Sequence, residues 1–213
     1  MIIKEIKVRG HKKLLLLFAG WGMDEQLFND YDPNGYDFML VYNYSSLDFN
    51  THNFKAYQEI KVLAWSLGVW AASQVLERCH LPVSSSSAIN GTITPIDNNK
   101  GIPEAIYKGT LTQLSEASLF KFRRRICGTA DCLSRFLAKA PKRSLEDLKF
   151  ELEAVYQGSK HMPVSKFQWG KAFISKNDLA FPTKNQLYAW DSIPNIVINE
   201  PHYPENLFRD LLS

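Results

Sequence analysis

The stretch Val62-Leu63-Ala64-Trp65-Ser66-Leu67-Gly68-Val69-Trp70 decides the fold of this chain. Its first four residues form a short apolar run, which is typical of a buried strand. From Leu67 onward, apolar residues recur at helical spacing until His80-Leu81-Pro82 ends the pattern. The stretch therefore predicts a buried strand that turns at a single serine directly into a helix.

Ser66 lies at this predicted turn, between small residues at positions 64 and 68. So tight a turn needs small neighbours because its two arms pack together, and it pushes the serine Oγ out at the carboxyl edge of the sheet. The first small residue is Ala64, where the general pattern has glycine, and its extra methyl group can be accommodated. We expect Ser66 to be a nucleophile; the alternative is that it only caps the following helix.

The rest of the chain alternates strand and helix patterns. Residues 2–8 and 14–19 predict an edge hairpin, turning at Arg9-Gly10-His11, whose second arm is a buried strand. Further strands are predicted at residues 38–44, 60–65, 85–90, 171–175 and 193–199, and helices at 183–190 and 206–212. Because a parallel connection needs a crossover long enough for a helix, the pattern predicts the α/β class, with a mostly parallel central sheet flanked by helices.

Composition excludes several classes of protein. The 213 residues carry 25 Lys and Arg against 22 Asp and Glu, and 45% are hydrophobic, so the chain is neither a polyion nor disordered. Three cysteines, Cys79, Cys127 and Cys132, match neither a disulfide scaffold nor a CxxC pair. No apolar run is long enough to span a membrane, and the charged N-terminus is unlike a signal peptide. We expect one cytoplasmic domain, residues 1–213, without a membrane partner.

Residues 95–168 interrupt the rhythm, since they contain amphipathic helix patterns and no convincing strand. One helix is predicted to begin after Ser144, with Asp147 three residues on, and to stop at Gly158. A helical insertion in an α/β sheet is usually a lid or cap, so we expect residues 95–168 to form a helical lid over the site. The alternative is an ordinary helical subdomain that only packs.

A serine hydroxyl needs a histidine base and a carboxylate, which follow it in the order acid, then histidine, in this kind of fold. Of five histidines, only His202 follows a predicted strand near the C-terminus. Asp178 follows the strand before it, so both side chains should meet Ser66 at one sheet edge. Asp191 and Asp48 are rival carboxylates, and Asp178 could instead form a turn that caps the next helix.

Acyl transfer also needs donors for the oxyanion that forms on the substrate carbonyl. The turn supplies the backbone N–H of Leu67, the residue after the serine. A second donor should come from Gly20-Trp21-Gly22, which follows the buried strand at residues 14–19. We expect the backbone N–H of Trp21 to be that donor, while its indole could be simple packing.

The predicted insertion concentrates positive charge, because residues 121–143 hold eight cations and one anion. The cations are Lys121, Arg123, Arg124, Arg125, Arg135, Lys139, Lys142 and Arg143. Such a surface suggests an acidic macromolecular partner or an anionic substrate group. Nucleic acid is disfavoured by the low overall charge and the lack of a binding motif. The alternative is a solvated helix face without a partner.

Several short motifs, in this order along almost the whole chain, together resemble one family. They are Phe18-Ala-Gly-Trp-Gly22, Ala64-Trp-Ser-Leu-Gly68, Ile89-Asn-Gly-Thr92, Pro95-Ile-Asp97, Gly101-Ile-Pro103, Asp178, Phe181-Pro182, Asn185-Gln186 and Pro201-His202. The chain resembles the BioG family of pimeloyl-acyl-carrier-protein methyl ester esterases. The resemblance implies an α/β-hydrolase fold and removal of the pimeloyl methyl ester late in pimelate synthesis for biotin, with Ser66, Asp178 and His202 as the catalytic triad.

The resemblance also gives the basic insertion a rationale, since acyl carrier proteins are acidic. It implies carrier or substrate contacts at Lys121, Arg123, Arg124, Arg125 and Arg135. The expected serine mechanism requires no metal or organic cofactor. Two other functions remain open. One is a general short-chain esterase or thioesterase of the same fold, and the other is a hydrolase-like module that binds an acyl group or a partner without turnover.

Overall fold

The computed structural model describes residues 1–213, which form a seven-stranded sheet in the order β1-β3-β2-β4-β5-β6-β7. The strands are β1 (Ile2–Lys7), β2 (Lys13–Phe18), β3 (Asp37–Tyr42), β4 (Glu59–Trp65), β5 (Val83–Ile89), β6 (Lys171–Ser175) and β7 (Asn195–Ile198). Every neighbouring pair is parallel except β1 and β3. The predicted α/β class with a mostly parallel sheet is confirmed.

Seven α-helices connect and cover these strands. They are α1 (Leu67–Leu76), α2 (Glu104–Thr112), α3 (Glu116–Cys127), α4 (Ala130–Ala138), α5 (Leu145–His161), α6 (Thr183–Ala189) and α7 (Glu205–Leu211). Two short 3₁₀ helices, Glu25–Leu27 and Thr51–Phe54, lie in loops before and after β3.

The central strands β2, β3 and β4 are buried on both faces, which explains their apolar runs. In β2, Leu14, Leu16 and Phe18 belong to the core cluster that α1 and α5 cover. Leu15 and Leu17 point to the opposite cluster, which α4 and α7 cover. Because side chains on both faces of β2 are removed from water, the strand is a continuous run of apolar residues.

The predicted hairpin of the first two strands is wrong. β1 pairs antiparallel with β3, from Ile2 opposite Tyr42, while β2 lies between β3 and β4. The physical reason is burial: β2 is apolar on both faces and takes a central position, whereas β1 carries charged residues and takes the edge. The turn between them is fixed by Asp37 of β3, whose Oδ1 accepts the N–H groups of Arg9 and His11.

Helices α2 to α5 all lie between β5 and β6. Helix α5 begins after Ser144, whose hydroxyl accepts the N–H of Asp147. The predicted stop at Gly158 is wrong, because α5 continues to His161. Gly158 instead allows a close approach, since a Cβ there would lie 2.7 Å from the ring of Trp70.

The carboxyl ends of the parallel strands share one edge of the sheet, where open α/β sheets place their sites. Ser66 follows β4 and Trp21 follows β2. Asp178 follows β6 and His202 follows β7, so residues far apart in sequence reach the same edge. None of the helices is both long and apolar enough to cross a membrane.

Candidate active site

Ser66 forms a strained turn between β4 and α1. Its backbone has φ 57° and ψ −127°, a conformation that non-glycine residues rarely adopt, and its side chain makes no capping bond to α1. The turn is possible because residue 68 is a glycine and has no Cβ. A Cβ at that position would lie only 2.5 Å from the carbonyl oxygens of Phe18 and Ala19. Strain at a single polar residue is typical of functional sites.

The structure brings Ser66, His202 and Asp178 together in one hydrogen-bonded chain. His202 Nε2 lies 3.0 Å from Ser66 Oγ, and His202 Nδ1 lies 2.7 Å from Asp178 Oδ2. All three side chains are buried, with 7%, 2% and 8% exposure of the serine, histidine and aspartate residues. This is the geometry in which a histidine can take a proton from a serine while a carboxylate orients the ring.

The two oxygens of Asp178 have different partners. Oδ1 accepts the N–H groups of Ala180 and Phe181 at 2.8 and 2.7 Å, which is the turn considered as an alternative role. Oδ2 accepts Gln186 Nε2 at 3.0 Å in addition to facing His202. The turn therefore holds the carboxylate in place for the histidine, so the two roles coexist.

The rival carboxylates do not reach His202. Asp48 accepts the hydroxyl of Ser46 on the surface, and Asp191 follows the end of α6. Of these carboxylates, Asp178 alone contacts the imidazole.

Two residues of the quoted motifs, to which the sequence assigns no individual role, fix the backbone of His202. The carbonyl oxygen of His202 accepts Trp65 Nε1 at 2.8 Å and Asn90 Nδ2 at 2.9 Å. Asn90 also bonds both the N–H and the hydroxyl of Ser175, at the end of β6, and has φ 47°. The Asn90-Gly91 dipeptide directly after β5 was the available signal, because this pair is typical of positive-φ turns.

The proposed oxyanion donors lie beside Ser66. Leu67 is the first residue of α1, so its N–H has no partner within the helix. The loop after β2 approaches Ser66 closely, since a Cβ at Gly20 would lie 3.3 Å from Ser66 Cβ. The N–H of Trp21 donates to no protein acceptor, whereas its indole Nε1 donates to the carbonyl of Leu148 at 3.0 Å.

A narrow apolar pocket of about 40 Å³ lies over Ser66 and His202. Its apolar walls include Ile102, Ile106, Tyr107, Phe122, Leu152 and Ala180. A cleft of about 780 Å³ adjoins it and shares Ile106, Phe122 and Arg125. The pocket and the cleft together form a path from Ser66 toward solvent, and its apolar walls suit a linear apolar group.

The predicted cations of the insertion divide into two groups. Lys121, Arg124 and Arg125 line the cleft. Arg135 forms a two-pronged bond with Glu205 in α7, and Arg123 is half-buried and donates to the carbonyl of Pro141. Burial lowers the pKa of Arg123, against the attraction of nearby acids. The free positive charge therefore concentrates at the cleft.

Internal ion pairs absorb other cations of this segment. Lys139 pairs with Asp30 at 2.5 Å, and Arg143 pairs with Glu151 and Asp147 at 2.6 Å each. The structure contains no group of three or more His, Cys, Asp or Glu residues that is able to hold a metal ion.

The chain is similar to known proteins both in sequence and in fold. The family model described as pimeloyl-ACP methyl esterase BioG matches residues 1–211. A malonyl-[acyl-carrier protein] O-methyltransferase of Bacteroides fragilis is 47% identical over 204 residues, which are 95% of this chain. The chain spans only 42% of the length of that relative.

Solved structures give the same result at the level of fold. The crystal structure of BioG from Haemophilus influenzae superimposes with a TM-score of 0.90 and 32% identity, and the match covers 100% of both chains. A non-heme bromoperoxidase homologue, BpoC from Mycobacterium tuberculosis, matches with a TM-score of 0.67 and 13% identity over 99% of this chain and 93% of its own. The fold is that of the α/β-hydrolases.

Proposed function

The chain belongs to the BioG family of pimeloyl-ACP methyl esterases, and on that premise we propose that it hydrolyses the methyl ester of pimeloyl-acyl-carrier protein. Family and fold support an esterase role. The observation that carries the proposal is the buried chain of hydrogen bonds from Ser66 Oγ through His202 to Asp178. The proposed reaction needs no metal or organic cofactor, because a serine, a base and an oxyanion site are sufficient for ester hydrolysis.

The first half of the proposed reaction forms an acyl-enzyme. Ser66 Oγ attacks the ester carbonyl while His202 Nε2, at 3.0 Å, takes its proton. The negative charge that develops on the carbonyl oxygen is stabilised by the N–H groups of Leu67 and Trp21. When the tetrahedral intermediate collapses, the C–O bond to the methoxy group breaks and the imidazolium returns the proton, so methanol leaves.

The second half releases the acid. A water molecule replaces methanol, and His202 takes a proton from it as it attacks the acyl carbonyl. Collapse then breaks the bond to Ser66 Oγ, which recovers its proton from the imidazolium. The product is a free carboxylate at the end of a pimeloyl chain that is still attached to its carrier. In biotin synthesis, this step would expose the terminal carboxylate of pimelate.

The substrate path supports a carrier-borne acyl group. The pocket at Ser66 is apolar, and its continuation is a cleft lined by Lys121, Arg124 and Arg125. Apolar walls near the serine suit the methylene chain, and cations farther out suit an acidic carrier or its prosthetic-group phosphate. The side chain of Arg135 is already engaged by Glu205, which makes it a weaker candidate contact.

The Bacteroides fragilis relative supports the same substrate class. Its name describes the transfer of a methyl group to an acyl group on acyl carrier protein. Such a reaction makes a carrier-bound methyl ester, and an esterase of this family removes one. The two chemistries are therefore complementary, and a sequence closely similar to this chain occupies part of that methyltransferase.

The experiment that tests the proposal is mass spectrometry of pimeloyl-acyl-carrier protein methyl ester after incubation with the protein. With wild type, the mass of the carrier substrate should fall by that of one methylene group, and with the Ser66→Ala variant it should not change. Loss of the whole acyl group would indicate a thioesterase. Hydrolysis of simple aryl esters without action on the carrier substrate would indicate a general esterase. Failure to react with a fluorophosphonate would indicate a binding module, because labelling requires an activated serine.

A further inference from the structure

Helix α5 carries a buried charge that the reaction itself does not use. Glu151 is fully buried, and its Oε1 accepts the backbone N–H of Tyr44 at 2.9 Å. Its Oε2 pairs with Arg143 Nη1 at 2.6 Å, and Arg143 also bonds Asp147, one turn before Glu151. Asp147 in turn accepts Asn43 Nδ2 at 3.1 Å. Side chains of α5 thus hydrogen-bond residues 43 and 44, which directly follow β3.

Tyr44 connects Glu151 to the loop that carries the proposed oxyanion donor. Its hydroxyl donates to the carbonyl oxygen of Ala19 at 2.6 Å, where β2 ends and the loop begins. Two residues later, the indole of Trp21 donates to the carbonyl of Leu148 in α5 at 3.0 Å. The loop at residues 19–22 is therefore tied to α5 at two points, at Ala19 through Tyr44 and at Trp21 directly.

We propose that Glu151, acting through Tyr44, is a positioning residue that holds the loop at residues 19–22, and with it the N–H of Trp21, against Ser66. This inference rests on the proposed ester hydrolysis. An oxyanion donor must lie about 2.7–3.1 Å from the developing charge, so a small displacement of the loop removes its effect. Because Glu151 touches neither the substrate path nor the triad, it acts only through the residues that it holds.

Removing the charged carboxylate of Glu151 from water costs free energy, which its ion pair and hydrogen bond must offset. Burial raises the pKa of Glu151, while Arg143 and the N–H groups of Tyr44 and Gly22 act in the opposite direction. Buried ion pairs of this kind are often replaceable by apolar residues without loss of stability. An apolar replacement would not supply the directional bond that Glu151 accepts from the backbone N–H of Tyr44.

The test separates positioning from simple support of the fold. The double variant Arg143→Met, Glu151→Leu removes both charges together, so that no buried charge is left unpaired. We expect kcat for p-nitrophenyl butyrate to fall about tenfold or more, with KM within about twofold of wild type, because a misplaced oxyanion donor affects the transition state and not the ground state. The single variant Glu151→Gln keeps an acceptor oxygen for the Tyr44 N–H, so it should keep most of the wild-type kcat that the double variant loses.

Two further variants sharpen the result. Tyr44→Phe removes only the hydroxyl that holds Ala19, and it should lower kcat in the same way. In combination with the double variant its effect should not add, because both act on one loop. Glu153→Gln changes an exposed carboxylate on the same helix, bonded to Gln157, and should leave kcat unchanged. Affinity for a trifluoromethyl ketone, which mimics the tetrahedral intermediate, should fall in parallel with kcat.

The inference is overturned if the double variant folds and keeps the kcat and trifluoromethyl ketone affinity of wild type. If the double variant does not fold, Tyr44→Phe decides: an unchanged kcat overturns the inference, and a lower kcat at constant KM supports it. Wild type that cleaves p-nitrophenyl butyrate but not the carrier-bound methyl ester refutes only the proposed substrate. Wild type that cleaves neither and resists a fluorophosphonate refutes the esterase, and the positioning role with it.

Discussion

Asp178 Oδ2 lies 2.7 Å from His202 Nδ1, and every other acceptor direction of this carboxylate is occupied by a donor from its own loop or from α6. Two backbone N–H groups hold Oδ1, and Gln186 Nε2 shares Oδ2 with the imidazole. The aspartate therefore has one orientation, and that orientation fixes the Nδ1 hydrogen of His202 and leaves Nε2 free to accept from Ser66.

We predict that Asp178→Asn lowers kcat by about four orders of magnitude, because the amide favours the wrong tautomer of His202. Steady-state kinetics on an aryl ester measures the loss. Asp191→Asn, at the carboxylate that does not contact His202, is the matched control and should retain wild-type kcat. Equal activity of both variants would contradict the role of Asp178.

We predict that Ser66→Gly yields a more stable protein than Ser66→Ala, although both are inactive. At φ 57°, a residue with a Cβ is strained by about 1–3 kcal/mol, and glycine relieves that strain at a smaller entropic cost. Chemical denaturation should show an excess of about 1 kcal/mol in the unfolding free energy of the glycine variant. Equal or lower stability of Ser66→Gly would mean that the turn is not strained.

Much of the fold follows from local signals in the sequence. The central strands are apolar on both faces, so their positions could be predicted within a few residues, and strand–helix alternation indicates parallel pairing. Ser66, Asp178 and His202 could be chosen because each follows a predicted strand, and the ends of parallel strands share one edge. The structure places those three side chains in contact.

What the sequence could not supply depends on pairing across long separations. A hairpin between β1 and β2 matches the local pattern, but the competition for the centre of the sheet is decided by β3, which lies about 20 residues later. Glu151 looks like one of many helical carboxylates until the structure shows Tyr44 beneath it. The Asn90-Gly91 pair predicts a turn of positive φ, but its contact with the carbonyl of His202, 112 residues later, is visible only in the structure.

Helical glycines in the insertion give a matched pair of predictions. Gly158→Ala should destabilise the protein by about 1–3 kcal/mol, because the new Cβ would lie 2.7 Å from the ring of buried Trp70. Gly109→Ala in α2 should stabilise it by about 0.5–1 kcal/mol, since no atom lies within 4 Å of that Cβ and alanine favours a helix. Thermal or chemical unfolding measures both. The same sign for both variants would contradict the packing of α5 against α1.

The cleft cations give a prediction about substrate recognition. Arg124→Ala combined with Lys121→Ala should raise KM for the carrier-bound methyl ester and leave the kinetics of a small aryl ester unchanged, since these side chains line the outer cleft. Added salt should weaken the wild-type preference for the carrier substrate in the same way. Lys12→Ala combined with Lys55→Ala removes two exposed cations that do not line the cleft, and it is the charge-matched control. An equal loss for both substrates would indicate a structural effect.

Asp37 should make the stability of the protein depend on pH at the acid end. Burial alone would raise its pKa, but the N–H groups of Arg9 and His11 and the hydroxyl of Tyr57 outweigh burial, and the pKa lies below its ordinary value of 3.8. A carboxyl group whose folded-state pKa is lowered contributes stability above its unfolded-state pKa, and that contribution is lost as the pH falls through the folded-state value.

Asp37→Asn should therefore cost about 1–2 kcal/mol at neutral pH, where the ionised carboxylate accepts three hydrogen bonds, and the difference from wild type should shrink as the pH approaches about 2. Urea unfolding across that range measures it. Asp210→Asn is the control, because Asp210 lies on the exposed surface of α7 outside any ion pair and its loss should be hardly measurable. A difference between wild type and Asp37→Asn that stays constant from neutral to acid pH would mean that charge on Asp37 contributes nothing, and that the turn between β1 and β2 is held by shape alone.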